Sequence, residues 1–422
     1  MENPANNLPY LTADLPGIGG HIKQRPEDFR VDELPLYEPS GEGTHLYFRV
    51  QKIGVPTPAA AGRIARHMGV PLRQIGFAGL KDARAVTTQT MSLEHADPSR
   101  LKAFADPQVR VTHITRHSNK LRSGHLRGNR FRVRIRGVCA GALHRAQAVL
   151  EVLRARGVPN YFGPQRFGSR GDTAQLGRAL LTDDLEEFVA ILLGRPDPND
   201  PPGEREARAA FDAGDPAAAA GHWPHGFADQ RRALQAYARR GRPKDAVSAI
   251  DKRMRRLYVS ALQSAVFNDV LARRIDAIDR VQYGDLAKKT DTGGVFLVED
   301  PQAEQPRAER FEISPTGPIP GTRSRLAAGE PGSAERDAIG RCGLEVSDFD
   351  RAGSLRLKGA RRALRFALEQ PELETAEDEN GTYLELRFSA LSGSYATVVV
   401  REITKSDDLP DGEEDSDEPG ED

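Results

Sequence analysis

Residues 75–93 read IGFAGLKDARAVTTQTMSL and predict two β-strands joined by a tight turn. Ile75–Gly79 and Ala85–Leu93 contain the β-branched and aromatic residues that favour strands. Between them, Leu80–Arg84 is long enough only for a short connection, and Gly79 lets the backbone turn sharply at the end of the first strand. The end of a strand is a position at which proteins often display catalytic groups.

The turn carries one carboxylate, Asp82, between two cations, Lys81 and Arg84. Neighbouring positive charge favours the ionised form of a carboxylate, which is the form that nucleophilic or general-base chemistry requires. In extended backbone Lys81 and Asp82 point to opposite faces, so we expect the direct partner of Asp82 to be Arg84 or a base from elsewhere in the chain. A surface turn with a solvated Lys-Asp pair is the alternative that the pattern leaves open.

Further strands and helices are predicted on both sides of this segment. His45–Gly54 predicts a strand, and Thr57 followed by proline predicts a helix to Met68 with Thr57 as its N-cap. Arg130–Gly137 alternates arginine with apolar residues, which predicts a strand with one apolar face and one basic face. The arginines of that face are Arg130, Arg132, Arg134 and Arg136. A helix is predicted from about Gly141 to Arg156.

The chain beyond Gly157 changes in character, because helical patterns and turn residues dominate until about residue 360. Arg253–Arg274 predicts a long helix, whereas the Pro-, Asp- and Ala-rich residues Gly194–Asp229 predict a loop or a poorly ordered excursion. Strand patterns return with Thr382–Leu391. The predicted divisions are residues 1–157 and 361–405 for one domain, 158–360 for an insertion into it, and 406–422 for a disordered acidic tail.

Charge is unevenly distributed along the chain. The net charge of the 422 residues is −1, but Ser406–Asp422 holds ten acidic residues and no basic one. The remaining residues carry 60 basic against 51 acidic side chains. This surplus suits a polyanionic partner, although an ordinary mixed surface is an equal alternative. The acidic tail has too little apolar surface to fold by itself, which is why we predict that it is disordered.

Cysteine content and hydropathy exclude several classes of protein. Cys139 and Cys342 are far apart, so they form neither a paired-cysteine zinc motif nor a disulfide framework. No segment approaches the roughly 18 apolar residues of a membrane helix, and no basic start followed by an apolar run indicates a secretory signal. We expect a cytoplasmic protein with free thiols that binds no metal and contacts no membrane.

Two segments concentrate positive charge. Arg110–Arg136 contains nine lysines and arginines and no acid, and within it Lys120–Phe131 combines cations with glycines and an aromatic residue. Such a segment is typical of a loop that binds phosphates, and Asn129 offers an amide that can bind a base edge. A plain solvated face is the alternative. Arg231–Arg256 contains ten cations and two acids and is weaker evidence, because helical surfaces are often this charged.

Seven motifs, in order over about 380 residues, resemble those of the tRNA pseudouridine synthase D family. They are Lys23–Phe29, Gly41–Leu46, Gly79–Gln89, His125–Phe131, Val158–Gly168, Ser260–Asn268 and Gly393–Glu402. The resemblance implies a pseudouridine synthase fold, α+β around a mixed and largely antiparallel β-sheet, interrupted by a large inserted α/β domain. The Pro/Ala-rich stretch Gly194–Asp229 and the acidic tail depart from the family pattern.

The same resemblance implies a function and a set of site residues. It implies isomerisation of a uridine in tRNA, at position 13 and with tRNA-Glu as a bacterial example. We also expect a monomer, and the chemistry of the isomerisation requires no cofactor. Asp82 takes the place of the nucleophile. The residues at positions that contact the substrate are Phe29, Asn129 and Tyr395. Further candidates for substrate binding from the same motifs are Lys23, Phe131, Lys81 and Arg84.

Pseudouridine formation breaks the N-glycosidic bond, rotates the uracil and rejoins it through carbon. An ionised aspartate can act as the nucleophile or can deprotonate the sugar to give a glycal, and the sequence leaves both routes open. Because the target base must leave its stack, we expect an aromatic side chain such as Phe131 or Tyr395 to receive it.

Two other functions compete with this interpretation. A non-catalytic RNA-binding or assembly protein would use the same basic surfaces, but it has no need for Asp82, whose negative charge weakens RNA binding. A methyltransferase acting on RNA is the second alternative. The lack of a glycine-rich cofactor loop in the sequence argues against it.

Overall fold

The computed structural model describes residues 7–355 and 357–406, apart from the side chains of residues 352–354. This part of the chain forms two compact units. The sheet unit consists of Tyr10–Asn160 with the described residues from Arg365 onward, and the helix-rich unit consists of Tyr161–Leu364 together with the described residues 7–9. The predicted acidic tail lies outside the described residues except for Ser406. None of the described helices is long and apolar enough to cross a membrane.

The secondary structure alternates between strand-rich and helix-rich regions. The strands are β1 (Phe29–Pro35), β2 (His45–Ile53), β3 (Gly76–Phe77), β4 (Val86–Glu94), β5 (Val109–His117), β6 (Leu126–Arg136), β7 (Val158–Pro159), β8 (Leu286–Lys289), β9 (Val295–Leu297), β10 (Ile313–Ile319), β11 (Ala360–Ala363), β12 (Arg365–Phe366), β13 (Glu369–Asp378) and β14 (Gly381–Leu391). The helices are α1 (Thr57–Met68), α2 (Pro98–Lys102), α3 (Ala142–Arg156), α4 (Thr173–Leu181), α5 (Leu185–Leu193), α6 (Pro202–Asp212), α7 (Pro216–His222), α8 (Ala228–Arg240), α9 (Pro243–Ser248), α10 (Lys252–Arg273), α11 (Pro301–Glu309), α12 (Gly329–Arg341) and α13 (Ala396–Thr404).

An eight-stranded sheet forms the centre of the sheet unit. Its order is β13-β14-β6-β1-β4-β2-β5, and β3 pairs with β4 beside this path. Strands β1 and β4 are parallel, and the other neighbours in the sheet are antiparallel. The prediction of an α+β fold with a mixed, largely antiparallel sheet is therefore confirmed. The predicted strand over Ile75–Gly79 is shorter than expected, since only Gly76–Phe77 pairs.

The alternation of side chains gives the sheet one buried face and one polar face. On β6, Phe131, Val133 and Ile135 are buried, whereas Arg130 before them and Arg132 between the first two are exposed. Because side chains on successive residues of a strand point to opposite faces, this pattern follows directly from the alternating sequence.

Helix α1 covers part of the buried face. Val50 of β2 and Ile64 of α1 belong to one hydrophobic cluster. The helix ends at Gly69, whose φ of 72° is a left-handed conformation that glycine adopts without strain. The prediction that Thr57 is the N-cap is wrong, because Pro56 occupies the cap position and the hydroxyl of Thr57 bonds elsewhere.

The helix-rich unit contains a helical cluster and a small sheet. Helices α4 to α9 and the start of α10 contribute to one hydrophobic core that includes Phe188, Trp223 and Leu234. The long helix predicted over Arg253–Arg274 is confirmed as α10. The small sheet is antiparallel and has the order β11-β10-β8-β9.

The prediction of a loop or poorly ordered excursion over Gly194–Asp229 is wrong, because this stretch contains α6 and α7. Both helices have proline in their first turn, where the missing N–H has no intrahelical partner to lose. Asp215 caps α7 by accepting a hydrogen bond from the Ala218 amide at 2.9 Å. Trp223 at the end of α7 is 2% exposed and joins the helical core.

Strands β7 and β12 pair where the chain leaves the sheet unit and where it returns. Val158 pairs with Phe366, and Pro159 pairs with Arg365. The guanidinium of Arg365 also donates to the carbonyl oxygen of Arg156 at 2.6 Å. The two ends of the excursion are therefore tied to each other within the sheet unit.

Candidate active site

Asp82 lies in the connection between β3 and β4, and a lysine from a distant part of the chain binds its carboxylate. Lys23 Nζ donates to Asp82 Oδ1 at 3.2 Å; the Lys23 side chain is completely buried and that of Asp82 is 15% exposed. The sequence analysis offered Arg84 or a base from elsewhere in the chain as the partner of Asp82, and the structure shows that Lys23 binds it. The side chain of Arg84 is exposed. The carboxylate is held in place and still accessible to a substrate.

Lys23 also joins Asp82 to an aromatic ring. Its Nζ lies 4.3 Å from the ring centroid of Phe29, the first residue of β1. A cation over a ring face is attracted by the ring quadrupole, so one ammonium group contacts both the carboxylate and the ring. Lys23 has a φ of 55°, which residues other than glycine seldom adopt. Strain of this kind is often found at functional sites.

Phe131 lies behind Phe29 in the buried face of the sheet. Its ring stacks on Phe388 of β14 with centroids 5.1 Å apart and packs against Phe29 at 6.3 Å. Only 6% of Phe131 is exposed. The expectation that Phe131 receives the flipped base is therefore not supported by its position, because neighbouring rings already cover it. Phe131 instead supports the ring of Phe29.

Asn129 presents an unsatisfied polar atom on the same face of β6. The residue is 5% exposed, and its Oδ1 is buried and has no hydrogen-bond partner among the described residues. Leaving a buried polar group unpaired costs about 1–3 kcal/mol, so such an atom needs a reason. An amide that can accept and donate is suited to the edge of a base. The structure is thus consistent with substrate binding at Asn129.

Tyr395 follows β14 and occupies the N-cap position of α13. The chain between them starts beside β6, where the Ser392 amide donates to the Arg127 carbonyl at 3.0 Å. Tyr395 therefore lies beyond the end of the sheet at which Asn129 is found. It is half-buried, which makes it the most accessible of the three aromatic site candidates.

Lys81 forms a buried ion pair with Glu33 of β1. Its Nζ lies 3.4 Å from Glu33 Oε2, and each side chain is 2% exposed. Burial raises the pKa of Glu33, and the charge of Lys81 acts in the opposite direction. Glu33 also accepts a hydrogen bond from the Thr90 amide at 3.0 Å. The side chain of Lys81 is thus enclosed beside Glu33.

Side chains that the sequence analysis did not select support the Asp82 turn. Thr57 Oγ1 accepts a hydrogen bond from the Lys81 amide at 2.9 Å and donates to Gln89 Oε1 at 2.8 Å. Gln89 Nε2 donates to the Gly79 carbonyl at 3.1 Å. The position of Thr57 before a proline suggested a helix cap, and only the three-dimensional arrangement shows that it binds the turn.

The basic face predicted on β6 is only partly available. Arg136 is buried and bonds to Asp28 at 2.8 Å and to Asp378 at 2.6 Å. The Arg136 guanidinium holds the pKa of Asp378 well below its usual range. Arg134 pairs with Asp378 at 3.2 Å and with Glu385 at 3.3 Å. These two arginines stabilise the sheet, so the basic face predicted for β6 is partly occupied by ion pairs within the protein.

The remaining predictions concern the second basic segment, the two cysteines and metal binding. The second basic segment, Arg231–Arg256, is spread over α8, α9 and the first turns of α10. Cys139 is exposed and Cys342 is buried, and both are free thiols. No group of three or more His, Cys, Asp or Glu side chains within the described residues could hold a metal ion.

Comparison with known proteins identifies the family. The family model described as tRNA pseudouridine synthase D (TruD) matches residues 5–403, nearly the whole chain. The chain belongs to the tRNA pseudouridine synthase D family. Its members are isomerases, and this protein converts uridine to pseudouridine in tRNA. The function expected from the sequence motifs is confirmed, and a non-catalytic RNA-binding protein is not favoured.

Relatives from several bacteria agree with the family match. The tRNA pseudouridine synthase D of Geobacter sulfurreducens is 47% identical over 411 residues, covering 96% of this chain and 98% of the relative. That of Geobacter metallireducens is 46% identical over 94% of this chain and 97% of the relative. That of Anaeromyxobacter dehalogenans is 43% identical over 96% of this chain and 99% of the relative.

A solved structure shows the same fold. The crystal structure of a Methanosarcina mazei protein assigned to tRNA pseudouridine synthase D matches this chain with a TM-score of 0.82 and 28% identity. The match covers 96% of this chain and 97% of that protein. The tRNA pseudouridine synthase D fold therefore extends through both units of the protein described here.

Proposed function

We propose that Asp82 carries out the isomerisation, that no metal or organic cofactor takes part, and that the target is uridine 13 of tRNA, with tRNA-Glu as one substrate. The observation that carries this proposal is the partly exposed Asp82 carboxylate held by the buried ammonium of Lys23 beside Phe29. The resemblance of Gly79–Gln89 to the catalytic motif of the family supports the same residue.

The chemistry needs an ionised carboxylate at the sugar. The bond between uracil N1 and the sugar C1′ breaks, the uracil turns, and a bond forms between its C5 and C1′. The hydrogen on C5 is released to solvent as a proton and N1 takes up a proton in its place, so substrate and product are isomers and no electron carrier is required. Asp82 either attacks C1′ or removes the proton at C2′, and in both routes the ammonium group of Lys23, 3.2 Å away, holds the carboxylate in position.

The surrounding residues have separate roles in this proposal. Tyr395 receives the flipped uracil because it is the accessible aromatic residue, and Asn129 binds an edge of the base with its unpaired oxygen. Phe29 forms the floor of the site and Phe131 supports it from behind. Arg84 is exposed and can bind a phosphate of the RNA next to the target nucleotide.

The organisation of the chain is part of the same proposal. Residues 158–360 form a family-specific domain inserted between two parts of the catalytic domain, residues 1–157 and 361–405. The pairing of β7 with β12 at its two ends supports this division. The protein acts as a monomer in the cytoplasm, where free cysteines remain reduced.

Replacement of Asp82 tests the central step. Asp82→Asn keeps the shape of the side chain but removes its charge, so it is expected to abolish release of tritium from tRNA that contains 5-tritiated uridine. Affinity for tRNA should be equal or slightly tighter, since a negative charge near the RNA is removed. Asp32→Asn, at an exposed aspartate of β1, makes the same chemical change as a control. Substantial turnover by Asp82→Asn would disprove the proposed mechanism.

A further inference from the structure

A second buried lysine holds the backbone of the Asp82 turn. Lys52 Nζ donates to the carbonyl oxygen of Lys81 at 2.8 Å and to that of Asp82 at 2.7 Å. The residue is completely buried. Alternation along β2 places Lys52 on the same face as Phe48 and Val50, where an apolar residue is the ordinary choice.

The two carbonyl groups lie on either side of the Asp82 α-carbon. The carbonyl of Lys81 belongs to the peptide plane before this atom, and that of Asp82 belongs to the plane after it. Because peptide units are planar, the orientations of the two planes define both backbone dihedrals of Asp82. Those dihedrals in turn define the direction of the bond from Cα to Cβ. A group that binds both carbonyls therefore determines where the carboxylate points.

We propose that Lys52 is a positioning residue for Asp82: it clamps both flanking peptide planes and so directs the carboxylate towards the sugar of the target uridine. This inference rests on the proposed catalytic role of Asp82. In this assignment Lys52 acts through the backbone of Asp82, by its hydrogen bonds to the two carbonyl groups. Lys23 orients the carboxylate group directly, and Lys52 orients the backbone from which it extends.

The chemistry of the clamp favours a functional explanation. A buried ammonium group is costly unless its hydrogens are bonded, and a surface turn is ordinarily stabilised by glycine, asparagine or water. Hydrogen bonds from a charged donor are shorter and stronger than neutral ones, so Lys52 gives a stiffer attachment than a neutral donor would. Stiffness is valuable where reacting atoms must be placed to a fraction of an ångström.

Contacts from two further elements act on the same turn. Thr57 of α1 binds the Lys81 amide, and Gln89 of β4 binds the Gly79 carbonyl. Together with Lys52 of β2, side chains from three elements thus hold successive peptide groups between Gly79 and Asp82. The direction of the carboxylate is in this way fixed before any substrate binds.

The first test replaces the clamp. Lys52→Met keeps the length of the side chain and removes its charge and donors. We expect kcat for pseudouridine formation to fall about 100-fold, the effect of a misplacement of about 1 Å, while KM and the Kd for tRNA change little. Lys102→Met, at an exposed lysine of α2, is the matched control. A folded Lys52→Met protein with kcat close to that of the parent, or with an increased Kd as its main defect, would overturn the inference.

The second test keeps the inference falsifiable if Lys52→Met does not fold. Thr57→Val removes the hydroxyl that binds the Lys81 amide and is expected to lower kcat about tenfold at unchanged KM, as expected for one hydrogen bond. Thr57→Ser restores the hydroxyl and should restore kcat. Equal kcat values for the two variants would contradict the proposed positioning.

Asp82→Asn, assayed alongside, separates this inference from the proposed function. Turnover by Asp82→Asn would remove the catalytic role of the residue and with it the reason for positioning. An inactive Asp82→Asn protein together with fully active Lys52→Met and Thr57→Val proteins would leave Asp82 as the catalytic residue and would reject only the role of Lys52.

Discussion

Asn129 illustrates how a site residue can act against stability. Its Oδ1 is buried, and no residue in the described part of the chain hydrogen-bonds to it; the cost of such an atom is about 1–3 kcal/mol. Asn129→Leu has a similar shape and no polar atoms. We expect the melting temperature to stay the same or to rise, while pseudouridine formation falls by at least about tenfold because the base edge loses its partner.

Thermal unfolding and tritium release on the same preparation measure the two effects. Val133→Ala provides the opposite control, because Val133 is completely buried in the same strand and its truncation should lower stability without a direct effect on the chemistry. A marked loss of stability in Asn129→Leu would show that the amide serves the fold rather than the substrate.

The residues of the site differ in how far the sequence predicts them. Asp82 could be selected because it follows Gly79 at a strand end among cations. Its partner Lys23 is 59 residues away, and no local pattern connects them. Thr57 was interpreted as a helix cap because it precedes a proline. Its contact with the turn could not be predicted, since that contact requires α1 and β4 to be adjacent. Lys52 carried a usable signal: it interrupts the apolar alternation of a buried strand face.

The basic strand β6 shows how pairing between elements changes the meaning of a pattern. The sequence predicts its alternation correctly, but it does not show that β13 and β14 bring Asp378 and Glu385 to the arginines. Arg130, in contrast, is exposed, and among the described residues no carboxylate lies within ion-pair distance of it. Arg130 and Arg134 therefore share a strand and a face but differ in availability.

This difference gives a prediction for tRNA binding. Arg130→Ala should weaken tRNA affinity and reduce the slope of log affinity against log salt by about 0.7–0.9, the loss of one phosphate contact. Arg134→Ala should leave that slope unchanged and lower the stability of the sheet unit. Titrations at several salt concentrations, with thermal unfolding of both variants, measure this. Equal slopes for the parent and Arg130→Ala would show that Arg130 makes no phosphate contact and that tRNA binds another part of the surface.

The stretch Gly194–Asp229 shows the limit of reading composition alone. Proline and aspartate are frequent in loops, but Asp followed by Pro is also the N-cap and first turn of a helix, as Asp215 and Pro216 show. Trp223 then fixes α7 to the helical core. The strands of the main sheet were easier to predict, since alternation is a local property, whereas their order depends on contacts between distant parts of the chain.

At the scale of the whole molecule, the acidic residues 407–422 offset the basic surplus of the rest of the chain. We expect them to reduce binding of unrelated RNA, with a role in solubility alone as the simpler alternative. Deleting residues 406–422 should raise affinity for unrelated RNA at low salt, where charge interactions are least screened. Filter-binding or fluorescence titrations with and without the tail test this. An unchanged affinity would leave only the role in solubility.

The pairing of β6 with β14 also has a consequence for synthesis on the ribosome. Arg134 and Glu385, which meet across these strands, are separated by 251 residues. At about 5–20 residues per second, the partner of β6 emerges roughly 10–50 s later. During this interval β6 is an open sheet edge, the feature through which nascent chains aggregate. Charged side chains on such an edge disfavour pairing with strands of other chains. The arginines that later form ion pairs therefore first protect the unfinished sheet from aggregation.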